Sequence, residues 1–262
     1  MDINTLLRPV KKVVAGAIRF FFGEKGGVWF ETELLIGRLK HGLHETEIDL
    51  LQHFVLLGDV CLDVGANFGE WSYFMSKRTG PSGRVIAFEP VPVTVQILKR
   101  VKGRLKLTNV EIHQIALGNE NKRAAMRVEA GKLPMAQLVN DQGSDGPSVR
   151  VDMMTLDSFM ANNDAGRISF IKCDIEGAEP LFLEGGRTTI TKHRPTIVCE
   201  IQEEHCERFG NSPNKIFEFL ADLNYSAYYY SSKKLIPVKG LVNGKINYVF
   251  IHNDKSGKLQ RS

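Results

Sequence analysis

Acidic, amide and glycine residues alternate in the segment "DVGANFGEWS" (63–72), which comes directly after the apolar run Val60-Cys61-Leu62. Gly65 and Gly69 can adopt backbone angles that are closed to other residues, so a ligand can approach the main chain there. The amphipathic stretch that follows would offer unpaired backbone N–H groups in its first turn. This pattern predicts a ligand-binding turn between a strand and a helix, at the place where open parallel sheets bind their ligands.

The acid at the start of this turn indicates which ligand it takes. Dinucleotide-binding turns have the pattern GxGxxG, whereas this turn carries Asp63, Gly65, Asn67 and Gly69. A carboxylate at position 63 disfavours a pyrophosphate at the helix N-terminus and favours a cationic group. S-adenosylmethionine carries an ammonium, a sulfonium and no phosphate. We therefore predict S-adenosylmethionine as the cofactor, with an NAD-dependent oxidoreductase as the alternative.

A second acid, Glu89, ends the next strand-like segment, "RVIAFE" (84–89). It lies about 20 residues beyond Gly69, where a carboxylate can accept both hydroxyl groups of a ribose. S-adenosylmethionine and NAD share this ribose, so Glu89 predicts a nucleoside ligand without choosing between them.

Three ionisable residues, Lys172, Asp174 and Glu176, are spaced by two in "FIKCDIEGAEP" (170–180). An extended chain would place all three on one side, at the carboxyl end of a central strand. They form either an ion-pair cluster that ends the strand or a catalytic edge that faces the cofactor and its acceptor.

Further ionisable residues follow the next strand-like segment. Glu200 ends "TIVCE" and would lie beside Asp174 if the two strands are neighbours. His205 is either a base that titrates near neutral pH or a polar surface residue. For methyl transfer to a hydroxyl group, Asp174 is the first candidate base, assisted by Glu176 and Glu200. A version in which these carboxylates hold Mg²⁺ or another divalent metal is possible, and the metal-free version is preferred.

Strand-like and helix-like segments alternate along the chain, which predicts a doubly wound α/β domain with a mainly parallel sheet. The predicted strands are 59–65, 84–89, 110–117, 168–175, 195–201, 225–231 and 246–252. Residues 119–164 change to short polar and mixed segments, and we expect them to form a β-rich insertion that can cover a site.

Composition limits the partners and the location. The chain has 262 residues, 43% of them hydrophobic, which favours one domain with appendages. The net charge of +4 is too small to indicate nucleic acid, and the four cysteines show no metal-binding spacing. No apolar stretch reaches the roughly 18 residues of a transmembrane helix, and no signal peptide is recognisable. We expect a cytoplasmic protein; the composition does not indicate its oligomeric state.

Residues 1–43 are predicted to form an N-terminal helical extension before a main domain at 44–262. Apolar residues occur at helical spacing within 6–22, with basic residues off the apolar stripe. Such a helix packs on the main domain or at a dimer interface, or it makes peripheral contact with the inner membrane surface.

Several segments together resemble the FkbM-type methyltransferase family over roughly residues 58–202. In order, they are "LDVGANFGEWS", "VIAFEPVP", "ALG", "TLDSF", "FIKCDIEGAE" and "PTIVCEI". The resemblance implies a class I methyltransferase fold, which is a Rossmann-like sheet of seven strands with the last strand antiparallel. It also implies methyl transfer from S-adenosylmethionine, mostly to hydroxyl groups of sugars, glycolipids or polyketide-derived natural products.

The resemblance also implies roles for individual residues. The methionine part of the cofactor would be surrounded by Asp63, Gly65, Ala66, Asn67 and Gly69. Glu89 would bind the ribose, while Ala116, Leu117 and Gly118 would lie near the adenine. Asp174 and Glu176 would face the acceptor, and Asp174 would also contact the cofactor. A protein that binds S-adenosylmethionine without catalysis is the remaining alternative.

Overall fold

The structure is a computed structural model that describes residues 23–128, 136–139, 148–163, 165–207 and 212–255. Its strands are β1 (Val60–Val64), β2 (Arg84–Phe88), β3 (Val110–His113), β4 (Ala116–Leu117), β5 (Lys122–Val128), β6 (Ala136–Val139), β7 (Ser148–Met154), β8 (Ile168–Cys173), β9 (Thr196–Glu200), β10 (Tyr225–Ser231), β11 (Lys234–Val238) and β12 (Asn247–His252). Residues 23–40 form the helix α1, and a 3-10 turn (Thr46–Leu50) leads into α2 (Leu51–Phe54). The other helices are α3 (Glu70–Thr79), α4 (Pro92–Leu105), α5 (Leu156–Asn162), α6 (Glu179–Gly185), α7 (Arg187–His193), α8 (Glu203–Glu207) and α9 (Pro213–Asp222).

The main sheet has the strand order β11-β10-β12-β9-β8-β1-β2-β3. Its centre is parallel, because β1 pairs parallel with both β2 and β8, and β8 pairs parallel with β9. The last strand, β12, runs antiparallel between β9 and β10. This arrangement confirms the predicted doubly wound α/β class, including its antiparallel last strand.

The main sheet has eight strands, one more than the predicted seven, because β10 turns back into β11. Ser232 and Lys233 form the turn, with φ angles of 52° and 62°. Two-residue turns of this kind usually contain Asn-Gly or Asp-Gly, so the sequence gives no turn signal here. Pro237 also argues against a strand, but β11 lies at the sheet edge, where proline is tolerated.

A smaller sheet has the order β4-β7-β5-β6. Its strands β5, β6 and β7 come from the segment that was expected to be β-rich. The predicted strand 110–117 is divided in two: β3 joins the main sheet and β4 joins the smaller one. The chain therefore changes sheets directly after the edge of the main sheet.

The strands at the centre of the main sheet are buried on both faces. Leu62 and Ile171 pack in one apolar cluster, whereas Cys61 and Phe170 pack in another on the opposite face. Such burial explains the near-continuous apolar runs in the sequence.

Helix α1 packs on the main domain through an apolar cluster that includes Val28 and Leu35 from α1 and Ile97 and Val101 from α4. The predicted amphipathic segment 6–22 lies outside the described residues, and the domain boundary at residue 44 stays a prediction. In the described part of the chain, no helix combines the length and hydropathy needed to cross a membrane.

Candidate cofactor and catalytic site

The glycine turn connects β1 to α3 at the carboxyl end of the sheet. Gly65, Asn67 and Gly69 have φ angles of 77°, 49° and 96°. A Cβ atom on Gly65 would lie 1.9 Å from the backbone oxygen of Asp174. A glycine is therefore needed at position 65 because the chain after β8 passes so close to it. This reason is separate from the access that a glycine gives to a ligand.

Glu89 lies beside this turn, as the order of the strands predicts, and ties it to the end of β2. The backbone N–H of Asn67 donates to Glu89 Oε2 over 3.0 Å, and that of Val91 donates to Oε1 over 2.9 Å. Burial raises the pKa of Glu89 to about 7, although both N–H donors oppose the rise. Each carboxyl oxygen can accept a second hydrogen bond, so each can still accept one from a ribose hydroxyl.

Asp63 is buried within β1 and accepts a hydrogen bond from the Ser72 hydroxyl of α3 over 2.5 Å. Burial raises the pKa of Asp63 to about 6, while the bond from Ser72 and the charge of Lys172 lower it. The carboxylate thus anchors the first turns of α3 as well as contributing negative charge to the site.

Lys172 is 2% exposed and lies in register with Asp63 on the neighbouring strand. Its Nζ atom is 3.7 Å from Asp174 Oδ2 and 5.6 Å from the centre of the Trp71 ring. Burial alone would lower the pKa of Lys172, but the nearby charges of Asp174, Glu45 and Glu200 together raise it above its usual value. Nζ has no hydrogen-bond partner among the described residues.

Asp174 directly follows β8 and Glu200 ends the neighbouring parallel strand β9, because Cys173 of β8 pairs with Cys199 of β9. The two carboxyl groups are close enough for the charge of Asp174 to act on Glu200. Burial and the charge of Asp174 raise the pKa of Glu200 to about 8. At neutral pH Glu200 is therefore largely protonated. The structure brings together the predicted neighbours Lys172, Asp174 and Glu200.

Glu176 is placed differently from the expectation that it shares one side of an extended chain with Lys172 and Asp174. Strand β8 ends at Cys173, and Glu176 has a φ angle of 58°. The two-residue alternation therefore ends before it reaches Glu176. Glu176 Oε2 lies 3.1 Å from Nδ1 of His205, a residue of α8 that is buried.

Glu179 is a residue that the sequence interpretation missed. Its buried Oε1 atom accepts the backbone N–H groups of Ile175 and Gly177 over 2.9 and 3.2 Å. Burial raises the pKa of Glu179 to about 7. An acid at the first residue of a helix, two residues after Gly177, was the available signal. Glu179 holds the turn that carries Asp174 and Glu176.

Ala116 and Leu117 are buried in β4. Ala116 packs in a cluster with Val91, whereas Leu117 belongs to the core of the main sheet. The backbone N–H of Gly118 donates to the Met154 carbonyl over 3.0 Å. Contact with an adenine stays a prediction for all three residues.

A cavity of about 300 Å³ opens between the glycine turn and α1. Its lining contains five acidic and two basic residues. They are Glu31, Glu45, Asp63, Glu70, Asp174, Arg38 and Lys172. Of the predicted cofactor residues, Asp63, Gly65, Ala66, Asn67 and Asp174 line it. Gly69, Glu89, Ala116 and Leu117 are buried outside this lining.

Known proteins resemble this chain in sequence and in structure. "Methyltransferase 1" of Beauveria bassiana is 27% identical over 146 residues, covering 47% of this chain and 57% of that protein. "Methyltransferase sdnD" of Sordaria araneosa is 27% identical over 161 residues, covering 47% and 59%. The crystal structure of methyltransferase FkbM from Methylobacillus flagellatus has a TM-score of 0.48 and 20% identity, covering 73% of this chain and 43% of that one. The chain thus spans less than two thirds of each of these proteins.

The family profile described as "Methyltransferase FkbM domain" matches residues 63–227, which is more than half of the chain. The match begins at the acid of the glycine turn and includes Glu89, Asp174 and Glu200. The chain therefore belongs to the FkbM family of S-adenosylmethionine-dependent methyltransferases.

Proposed function

We propose that this protein is an S-adenosylmethionine-dependent O-methyltransferase that acts on a hydroxyl group of a sugar, a glycolipid or a polyketide-derived natural product. The observation that supports this best is the carboxyl pair Asp174–Glu200. Asp174 lines the cavity beside the glycine turn, and its charge adds to burial in raising the pKa of Glu200. The two relatives support methyl transfer over hydride transfer, and their names specify no acceptor.

The residues present fit this cofactor. Acidic side chains outnumber basic ones in the cavity lining, which suits an ammonium and a sulfonium group better than a phosphate. Asp63, Gly65, Ala66 and Asn67 would hold the methionine part, and Glu89 would hold the ribose. When bound, the cofactor supplies a methyl group on a positively charged sulfur, and a neutral thioether remains.

The chain itself has to position the acceptor and remove its proton. A sugar hydroxyl is a very weak acid, and a positioned base contributes typically about 10²- to 10⁴-fold to such a reaction. Asp174 is the candidate base because its side chain is 31% exposed and borders the cavity. Lys172, 3.7 Å away, offsets the charge of the carboxylate. The hydroxyl proton would pass to an oxygen of Asp174, while Glu200 keeps its own proton.

Glu176 has a different place in the proposal. Because it pairs with His205, it would act by fixing the segment between β8 and α6 or by orienting the imidazole ring. Glu176 and His205 are both candidates for contact with the acceptor, whereas Asp174 is the candidate base.

The test measures binding of S-adenosylhomocysteine by calorimetry and its release from S-adenosylmethionine with glycosides, glycolipids and macrolides as acceptors. Amino sugars that differ from the glycosides by one amine in place of a hydroxyl serve as matched acceptors. We expect release with hydroxyl acceptors, and we expect Asp174→Asn to lower the rate of release by about 100-fold or more at saturating S-adenosylmethionine. Asp152→Asn is the matched control, because Asp152 belongs to an exposed surface pair with Arg123.

Each other result removes a part of the proposal. Binding without release for every acceptor would indicate a non-catalytic binding protein, and release with amines alone would indicate N-methyl transfer. Equal rates for Asp174→Asn and Asp152→Asn would exclude Asp174 as the base. Absence of binding would exclude the cofactor.

The same assay with EDTA tests the metal-assisted version. Within the described residues, no group of three or more His, Cys, Asp or Glu side chains could hold a metal ion. The ammonium of Lys172 also lies where it offsets the carboxylate charge of Asp174. We expect EDTA to leave the rate unchanged, whereas a loss that Mg²⁺ restores would establish a metal-dependent reaction.

A further inference from the structure

Arg38 of α1 is one of the residues that line the cavity beside the glycine turn. It comes from the segment before residue 44, outside the range that the family profile matches. Helix α1 is nevertheless part of the domain, since Leu35 packs against Ile97 and Val101 of α4. Arg38 therefore approaches the cavity from an element that the family motifs do not describe.

The acidic lining of the cavity means that the carboxylate of the cofactor needs a cationic partner there. The amino-acid part of S-adenosylmethionine carries an ammonium and also a carboxylate, and the five acidic residues of the lining would repel the carboxylate. Among the described residues that line the cavity, the two cations are Arg38 and Lys172. Lys172 is 2% exposed and held between Asp174 and Trp71, whereas the side chain of Arg38 is 33% exposed.

The guanidinium of Arg38 retains hydrogen-bonding capacity. Its Nη2 atom lies 3.4 and 3.3 Å from the two carboxyl oxygens of Glu70, which is longer than the usual distance for such a pair. Its Nε atom is buried and has no hydrogen-bond partner in the described part of the chain. A guanidinium has five N–H donors in a planar fork that matches a carboxylate.

We propose that Arg38 binds the α-carboxylate of the cofactor's amino-acid part, so that α1 completes the cofactor site. The inference rests on the proposed function, because it takes S-adenosylmethionine as the ligand. Glu70 would hold the guanidinium at the cavity while the carboxylate occupies its other donors. Arg38 then determines whether the site distinguishes ligands that carry the amino-acid part from ligands that lack it.

The test compares two ligands by calorimetry on the full chain. S-adenosylhomocysteine carries the carboxylate, and methylthioadenosine has the same nucleoside without the amino-acid part. We expect Arg38→Ala to weaken binding of S-adenosylhomocysteine by about 10- to 100-fold and to change binding of methylthioadenosine by less than about two-fold. Arg38→Lys, which keeps the charge but loses the fork, should give a smaller loss.

Two control variants separate this role from effects on the fold or on charge. Arg104 of α4 pairs with Glu33 of α1, so Arg104→Ala removes a contact that holds the same helix without touching the cavity. It should leave both affinities unchanged. Arg38→Ala combined with Glu70→Gln removes the unpaired acid that Arg38→Ala leaves behind. The selective loss of S-adenosylhomocysteine binding should persist in this double variant.

Equal losses for both ligands in Arg38→Ala would show that the residue acts through the position of α1, which would overturn the proposal. Unchanged binding of S-adenosylhomocysteine would overturn it too. If the unsubstituted protein bound neither ligand, the proposed function itself would fail, and that outcome is distinct from a failure of the Arg38 proposal.

Discussion

The carboxyl group of Glu200 links the electrostatics of the site to the pH dependence of its reaction. Burial and the charge of Asp174 raise the pKa of Glu200 to about 8, so Glu200 is largely protonated at neutral pH. Loss of that proton above about pH 8 places a second negative charge beside the proposed acceptor site, which favours removal of the hydroxyl proton. The turnover rate should therefore rise between about pH 7 and about pH 9.

The variant Glu200→Gln tests this at the same residue. Glutamine mimics the protonated acid and does not titrate, so we expect the rise in rate between about pH 7 and about pH 9 to disappear. The rate should stay at or below the value of the unsubstituted protein at about pH 7. The measurement is the pH profile of kcat with a fixed acceptor. A profile that kept the same rise in Glu200→Gln would assign the titration to another group.

Single residues were predictable from the sequence where spacing along a strand determines position. Asp174 and Glu200 could be placed side by side because they lie at the carboxyl ends of two neighbouring parallel strands. Glu176 could not be placed, because its positive φ angle is set by the turn around Gly177. The same turn depends on Glu179, whose hydrogen bonds to backbone N–H groups leave no periodic pattern.

At the scale of elements, the turn between β1 and α3 depends on the end of β8. A methyl group at Gly65 would meet the Asp174 backbone oxygen at 1.9 Å, and the φ angle of 77° is unfavourable for other residues. We expect Gly65→Ala to lower the free energy of unfolding by at least about 2 kcal/mol, because clash and strain add. Urea denaturation of the purified variant measures this difference.

Gly103 in α4 provides a matched control for this substitution. A Cβ atom there would meet nothing within 4 Å, and the residue lies in a helix. Gly103→Ala should therefore raise the free energy of unfolding by about 1 kcal/mol. If both variants changed stability alike, the close approach at Gly65 would not be what restricts that position.

Elements with strong hydrophobic patterns were predictable, and those set by turns or edges were not. The central strands were predicted because burial on both faces requires continuous apolar runs. Strand β11 was missed because its turn uses Ser232 and Lys233, and because it contains Pro237. The division of the predicted strand 110–117 into β3 and β4 was also missed, since both parts are extended and only their partners differ.

For the whole molecule, buried carboxyl groups make stability depend on pH. Burial raises the pKa of Glu89 and Glu179 to about 7 each, and burial with the charge of Asp174 raises that of Glu200 to about 8. A raised pKa in the folded state means that the folded protein binds more protons than the unfolded chain. The stabilising effect of each raised pKa is present below the pKa of the unfolded chain and is lost as the pH rises through the pKa of the folded state.

Histidines act in the opposite direction but at lower pH. Burial lowers the pKa of His113, His193 and His252 below the usual 6.5. The unfolded chain therefore binds more protons at these residues, and their effect is to raise the free energy of unfolding with pH only up to about 6.5. Between about pH 6.5 and about pH 8.5 the carboxyl groups therefore dominate. We expect the free energy of unfolding to fall over this interval, by at most about 1.4 kcal/mol per pH unit for each group.

The variant Glu179→Gln connects this dependence to one residue. Glutamine resembles the protonated acid and can still accept the N–H groups of Ile175 and Gly177 at its carbonyl oxygen. Tm measured across the interval should therefore fall less steeply in the variant, with the largest gain in stability at the alkaline end.

Glu111→Gln is the control, because Glu111 is partly exposed and Arg84 holds the pKa of its carboxyl below the usual value. That pKa lies below the interval, so Glu111→Gln should shift Tm by the same amount at every pH. A Tm that rose with pH in the unsubstituted protein, or an equal slope in Glu179→Gln, would show that these carboxyl groups do not control the stability.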